Sequence, residues 1–464
     1  MRRLGCVDPR RRRGACVLRR SAPSSVSCLI TGRAESRIGT FAALLFIHSA
    51  GTRFGVTGRG KGTPDMKTEK KVSRREFIMS TAVTGAAASF LIVKPESVRG
   101  TPANDAVTIG WVGLGGRGTA DARGLTAAGG KIVALSDVFQ ERIDTARRSF
   151  EVEDSKCFLG FDGYQKVCAL KLDAVLFVTP PGFRPEEFKA AVQAGKHVFM
   201  EKPIAVDAWG CRQVLQDGEK ARAQKLSVVV GLQRRYSTAY QEAQKRISAG
   251  ALGTIVSGRG FYLTGDVWRG KHWPRTDFAT DQLWMARNWY YFRSLSGDLI
   301  TEQNIHNLDA CNWVLGGHPV SCVGYGGRNV RKYIGDIFDH FNVTFRYPGN
   351  VDLTFMSGQF CTLHDSSEQI LGTDGTFTNS GRSIKIEGKN AWESSGPDDS
   401  NRNEYEAFIN SVRNGQPRAD TAHAVDGTFT TILGREAAYR GKEVKWTKLW
   451  NENQKLARKP YPVA

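Results

Sequence analysis

Glu302 and His306 stand four residues apart in the run Gly297-Asp298-Leu299-Ile300-Thr301-Glu302-Gln303-Asn304-Ile305-His306-Asn307-Leu308-Asp309. On a helix that spacing puts two side chains on one face. An imidazole there can act as a general base near neutral pH, and a carboxylate one turn away can orient its ring. The segment therefore reads as an acid–base element, with Asp309 as a further polar contact for a substrate. Glu302, His306 and Asp309 would also suit a metal by ligand type, but no further cluster of ligands converges on them, and no metal is expected. Just upstream, Trp268, His272, Trp273, Trp284, Trp289, Tyr290, Tyr291 and Phe292 lie among Gly, Arg, Asn and Asp residues. Aromatic faces with amide and charged neighbours suit the C–H face and hydroxyls of a sugar. Trp289 and Tyr290 are candidates for such a platform, although clusters of this kind also build cores and interfaces.

A second chemistry belongs to Gly113-Leu114-Gly115-Gly116-Arg117-Gly118. Residues 107–112 before it are apolar and partly β-branched, as in a buried parallel strand, and a helical stretch follows to about residue 128. Strand, glycine turn and helix in that order are the setting that a G-x-G-x-x-G motif requires. The first glycine permits the turn, the second admits a pyrophosphate to the backbone, and the third allows close helix–strand packing. The helix N-terminus then offers N–H groups to the phosphates. A second strand, 131–136, ends at Asp137, whose carboxylate would bond a ribose 2′-hydroxyl and repel a 2′-phosphate. That favours NAD over NADP.

These residues need a frame, and the chain supplies alternating elements for one. Strands are predicted at 173–178, 197–200 and 227–230, with helices between them, giving a doubly wound α/β Rossmann domain over residues 105–230. Ligands of such sheets lie at the carboxyl ends of the strands, which is where Thr179, Pro180, Glu201 and Lys202 fall. From residue 231 the rhythm changes. Strand candidates at 255–262, 320–325, 337–347, 351–357 and 368–372 follow with few helices between, and several alternate in polarity. An α+β domain with an open, mainly antiparallel sheet is predicted over 231–464. Arg234, Arg235 and Tyr236 open it; they suit the cleft between the domains, with Arg234 and Tyr236 as substrate contacts, and equally suit a solvated surface. Helices are predicted at 404–412 and 427–440 as scaffold.

The run Gly195-Lys196-His197-Val198-Phe199-Met200-Glu201-Lys202-Pro203, after a glycine-turn domain and a Thr-Pro loop, resembles the Gfo/Idh/MocA oxidoreductase family from about residue 105 to the C-terminus. The resemblance implies hydride transfer between NAD and a secondary hydroxyl of a sugar or polyol. It implies that Lys202 lies between nicotinamide and substrate, that His306 is the acid/base, and that Glu302 corresponds to an acid that is Asp in many members. It also implies that the second sheet forms an oligomer interface, hence a homo-oligomer. A related chemistry within reach of the same residues is an NAD-dependent glycosidase that oxidises and eliminates transiently. The chain departs from the pattern at Pro181-Gly182-Phe183-Arg184, where many members carry a histidine after Thr-Pro.

The chain's 464 residues carry a formal charge of +19, which would suggest nucleic acid if it lay on a folded face. It does not. Residues 1–65 hold 13 Lys and Arg against 3 acids, residues 66–100 hold 7 against 3, and the remainder holds 45 against 40. No nucleic-acid partner is expected. The nine cysteines include Cys6, Cys16 and Cys28 in this basic leader, and the others form no C-x-x-C pair, so buried thiols are expected. Ser73-Arg74-Arg75-Glu76-Phe77 before the uncharged stretch 78–93 resembles a twin-arginine export signal. That stretch is too short and weakly apolar for a stable span, though an uncleaved signal would anchor the chain. Residues 66–104 are read as signal and linker of a periplasmic protein. Residues 1–65 are read as an extension that translation from Met66 would omit.

Overall fold

The computed structural model describes residues 106–456 apart from Arg269. The expectations for the extension, the start at Met66 and the export signal lie outside these residues.

Six short strands make the first sheet: β1 (Val107–Val112), β2 (Gly130–Asp137), β3 (Cys157–Leu159), β4 (Ala174–Phe177), β5 (His197–Met200) and β6 (Val228–Val230). All pair in parallel, in the order β3-β2-β1-β4-β5-β6. The order reverses between β2-β1 and β4, so the switch point of this doubly wound sheet lies at the carboxyl end of β1. Helices on both faces explain why β4, β5 and β6 are almost continuous apolar runs with no solvent side. Trp111 is fully buried and meets Phe150 edge-on at 5.4 Å.

The second sheet has nine strands: β7 (Ile255–Leu263), β8 (Ser321–Gly327), β9 (His340–Tyr347), β10 (Val351–Gly358), β11 (Asp365–Gly372), β12 (Gly375–Asn379), β13 (Ile384–Gly388), β14 (Trp392–Glu393) and β15 (Val444–Lys445). Their order is β14-β13-β12-β11-β7-β10-β9-β8-β15, and only the β10–β7 pair is parallel. Phe341, Val343 and Phe345 of β9 point into the core, with Leu353 and Phe355 of β10 beside them. The opposite face leaves Val323 and Tyr325 of β8 and Met356 of β10 exposed.

The C-terminal segment does not stay with this sheet. The helix Ser400–Arg413 lays Tyr405, Phe408 and Ile409 into the core of the first sheet, with Phe199 against both aromatic rings. The helix Thr421–Arg440 is buried around almost its whole circumference, starts six residues before the predicted one, and packs against elements of both sheets. Neighbouring backbone follows the same course: Val228 bridges Ala419 in parallel.

Gly124 marks how tightly the returning helix sits. A Cβ there would lie 2.1 Å from a ring carbon of Tyr405, whose hydroxyl donates to Asp121 at 2.8 Å. Alanine favours a helix interior over glycine by about 1 kcal/mol, but overpacking of a core costs about 1–3 kcal/mol. Gly124→Ala should therefore lower the denaturation midpoint, and a raised midpoint in a urea titration would show that the Tyr405 ring gives way.

Candidate active site

The site begins where β1 ends. Gly113 has φ +88°, and a Cβ on it would come within 2.6 Å of backbone atoms of Val178 and Thr179. A Cβ on Gly118 would lie 2.3 Å from the Gly113 carbonyl and 2.8 Å from Trp111 Nε1. Gly113 and Gly118 therefore carry the turn and the packing. Gly115 and Gly116 face open space, with nothing nearer than 3.9 Å to an added Cβ. The helix Gly116–Ala127 starts there without a side-chain cap, so its first turn suits phosphate oxygens. This turn, the end of β2 and the Thr179-Pro180 loop line a cavity of about 290 Å³, with Trp268, Ala286 and Trp289 on its far side. A glycine cradle, an uncapped helix start and a carboxylate at the end of β2 fit a dinucleotide.

Asp137 lies at that cavity and also holds the turn. Its carboxylate accepts from Leu114 N at 2.7 Å and Phe139 N at 3.0 Å, and Arg142 stands 3.6 Å away. Arg117 turns toward the protein instead. Its guanidinium donates to Glu201 at 2.7 Å and pairs with Asp121 at 3.0 Å, on the border between the dinucleotide cavity and a second one. Burial and the nearby Glu201 charge push the Asp121 carboxyl up to about 8. Glu201 accepts from Arg117 and, at 3.0 Å, from the backbone N–H of Lys202.

The second cavity, about 270 Å³, is lined by Lys202, Glu302, His306, Gln233 and Trp289 and shares Arg117, Val178 and Thr179 with the first. Lys202 Nζ donates to the Glu302 carbonyl at 2.6 Å and to Glu302 Oε1 at 3.0 Å. An ammonium has three donors, so one remains for a ligand. His306 Nδ1 has no hydrogen-bond partner among the described residues. Burial, then the charges of Lys202, Arg234 and Arg117, hold its titration well below the usual value, which keeps the imidazole neutral and able to accept a proton.

Several expectations change here. Glu302 does not orient His306: its carboxylate accepts from Lys202 and Gln303. The helix expected to carry both residues is interrupted, Glu302 ending the turn Leu299–Glu302 and His306 opening Ile305–Leu315. Arg234 and Tyr236 are not substrate contacts. Arg234 pairs with buried Glu368 and donates to the His306 carbonyl at 3.2 Å, while the Tyr236 hydroxyl donates to Asp420 at 2.6 Å. Asp309 is engaged by Arg235 in a bidentate pair with both contacts at 2.8 Å. Tyr290 is fully buried and accepts from Gln359. The physical cause is common to these polar groups: a charge or hydroxyl taken out of water must be paired within the protein. Of the two aromatic candidates, Trp289 alone reaches the cavities.

Two residues of the site carried no sequence assignment. Gln233, next to Arg234, Arg235 and Tyr236, faces the cavity with Oε1 unpartnered among the described residues; the tight turn Gln233–Tyr236 points its neighbours inward. Arg184, in the stretch that departs from the family pattern, is buried and donates to the carbonyls of Thr179, at 2.6 Å, and Pro203. It ties the loop after β4 to the loop after β5. Burial brings its guanidinium down to about 10, against the opposing charges of Glu201 and Glu187. An arginine two residues after Pro-Pro-Gly is the only signal for it in the sequence.

Comparison with known proteins places this geometry. Residues 107–232 match the profile described as "Oxidoreductase family, NAD-binding Rossmann fold", and residues 240–378 match the GFO/IDH/MocA C-terminal domain. The two profiles of one family together cover more than half of the chain. The chain belongs to the Gfo/Idh/MocA family. It is thus an oxidoreductase with an NAD-binding Rossmann domain. Among similar proteins, the scyllo-inositol 2-dehydrogenase (NAD(+)) of Bacillus subtilis (strain 168) is 25% identical over 57% of this chain and 71% of its own length. The inositol 2-dehydrogenase of Klebsiella pneumoniae (strain 342) is 30% identical over 45% of this chain and 54% of its own, so the match spans only about half of that relative. Similar folds include the aldose-aldose oxidoreductase from Caulobacter crescentus, with TM-score 0.60 and 16% identity over 73% of this chain and 99% of that one. A scyllo-inositol dehydrogenase from Lactobacillus casei, solved with NAD(H) and scyllo-inositol, gives 0.58 and 20% over 74% and 99%.

A Gfo/Idh/MocA member with His306 held neutral has a specific pH signature. A base with an ordinary titration point near 6.5 would lose half its effect there. Here the titration is displaced downward, so kcat/KM for alcohol oxidation should stay level as pH falls through 6.5 and decline only in more acid solution. An acid limb centred at or above 6.5 would count against His306 as the base.

Proposed function

We propose that this protein oxidises a secondary hydroxyl of an inositol, another cyclic polyol or a sugar, with NAD as hydride acceptor. The observation that carries the reading is the shared cavity wall: Lys202 Nζ and His306 line a chamber that meets the dinucleotide cavity at Thr179 and Trp289. The names of similar proteins, inositol dehydrogenases among them, favour this substrate class.

The bound dinucleotide supplies the hydride acceptor. The chain's own residues do the rest. Lys202, fixed by two contacts to Glu302, directs its remaining N–H at the reacting hydroxyl oxygen and stabilises the charge that grows there. The neutral His306 takes the hydroxyl proton. Glu302 positions Lys202, while Gln233 and Trp289 contribute a hydrogen-bonding amide and an aromatic face for the ring. Asp137 at the end of β2 favours a ribose 2′-hydroxyl over a 2′-phosphate, hence NAD over NADP.

The outer face of the second sheet, with Val323, Tyr325 and Met356 exposed, is the surface we assign to a second copy of the chain. Light scattering should report an oligomer, and Tyr325→Glu should shift it toward the monomer; a monomeric wild-type protein would refute this part.

A panel of inositols and sugars offered with NAD or NADP, read by NADH fluorescence, tests the main reading. Oxidation should be found with a polyol or sugar and should favour NAD. Lys202→Ala should lower the turnover number by roughly 10²–10³-fold while the variant still binds NADH. Near-normal turnover in that variant would remove Lys202 from the chemistry.

A further inference from the structure

One wall of the dinucleotide cavity is built by residues that acid–base chemistry does not use. Phe139 follows Asp137 by two positions and so marks the adenosine end. Its ring lies under two guanidinium groups. Arg142, from its own helix Gln140–Phe150, stands 4.9 Å from the ring centroid, and Arg287 stands 3.7 Å from it. Arg287 ends the helix Asp281–Arg287, between β7 and β8 in the sequence, and also pairs with Glu141 of the first domain. Phe278 meets the Phe139 ring edge-on at 6.4 Å.

From this point the wall runs to the catalytic end. Ala286 and Trp289 line the dinucleotide cavity, and Trp289 also lines the chamber of Lys202 and His306. The wall is stiff from behind. Trp268, which lines the same cavity, stacks on fully buried Tyr290 at 5.7 Å and 22°. Buried Asn288 accepts from Trp273 N at 2.9 Å and donates to the carbonyls of Trp273 and Trp284, both at 3.1 Å. A dinucleotide seated on the glycine turn would thus be covered at both ends by one rigid piece of the second domain. That piece is latched to the first domain by the Arg287 contacts with Phe139 and Glu141.

We propose that residues 278–289 form a latch that slows release of the reduced dinucleotide after hydride transfer, so that its opening limits turnover, with Arg287 as its release-controlling residue. The proposal rests on the dinucleotide reading of the glycine turn but not on the identity of the alcohol. Cations over aromatic rings are held more strongly when desolvated, and this guanidinium is flanked by Phe139, Trp273 and Glu141. Opening the latch requires these contacts to break together, whereas substrate exchange through the Lys202 chamber leaves them intact.

Release is measured without any sugar. NADH is loaded on the purified protein, excess NAD is added, and the loss of bound NADH fluorescence gives the dissociation rate. Arg287→Ala should accelerate release by about tenfold or more, a difference of about 1.4 kcal/mol. Glu141→Gln, at a largely exposed carboxylate, should accelerate it less and serves as the variant least able to disturb folding. The double charge swap Glu141→Arg with Arg287→Glu should restore part of the slow rate. Equal release rates in wild type, Arg287→Ala and Glu141→Gln would overturn the latch. So would wild-type release many times faster than turnover. Either result leaves the assignment of Lys202 and His306 untouched, because those residues are read by the oxidation assay.

Discussion

Lys202 reaches from the end of β5 to both the backbone carbonyl and the carboxylate of Glu302, and this contact joins the two halves of the site at the reacting group. The two side chains are about nine-tenths buried, at 12% and 10% exposed. Breaking such a pair by removing one partner typically costs about 3–5 kcal/mol, since the survivor keeps a desolvated charge. The lysine is thereby denied its usual rotamer freedom, which is what a group aimed at one hydroxyl requires. Glu201 holds the backbone of the same lysine from the other side, and Arg117 joins that carboxylate to the glycine turn. The dinucleotide turn, the lysine and the second domain thus share a chain of charged contacts with no gap.

His306 is governed by the same electrostatics. The cations gathered to satisfy Glu201, Glu302 and Glu368 surround the imidazole and disfavour its protonation. Pairing these buried acids with bases therefore has a second effect, because the cations add to burial, the larger cause, in keeping a group outside the pairs neutral. Arg234 illustrates this. It neutralises Glu368, fixes the His306 carbonyl and adds to the positive field, all without reaching the cavity.

The fold was largely legible because its strands follow periods that burial dictates. Residues 107–112, 197–200 and 351–357 are apolar or alternating in ways that specify a two-sided or one-sided cover, and strands form there. Short strands such as β3 and β14 were not readable, since two or three residues carry no period. Among the site residues, the glycines, Asp137 and His306 are marked by local spacing and Lys202 by its place at a strand end and by the family resemblance, and they line the two cavities. Arg234, Tyr236, Asp309 and Tyr290 share their residue types with true ligand contacts, yet their partners Glu368, Asp420, Arg235 and Gln359 mostly lie far away in sequence. Local sequence shows that a polar side chain is present; only the fold shows whether it is already spoken for. Gln233 and Arg184 are the converse, plain in sequence and placed at the site by a tight turn and a buried loop.

The return of the C-terminal segment to the first sheet bears on how the chain is made. Domains generally fold as units, beginning with the N-terminal one while synthesis continues. Here β6 takes its outer contacts from residues near Ala419, and the β1 side of the sheet is covered by Tyr405, Phe408 and Ile409. Until the ribosome has delivered those residues, the nascent dinucleotide domain has an uncovered edge and an unfinished core. The first sheet is therefore completed only after residues 400–419 have been delivered, so until then the nascent chain presents apolar surface that must be shielded.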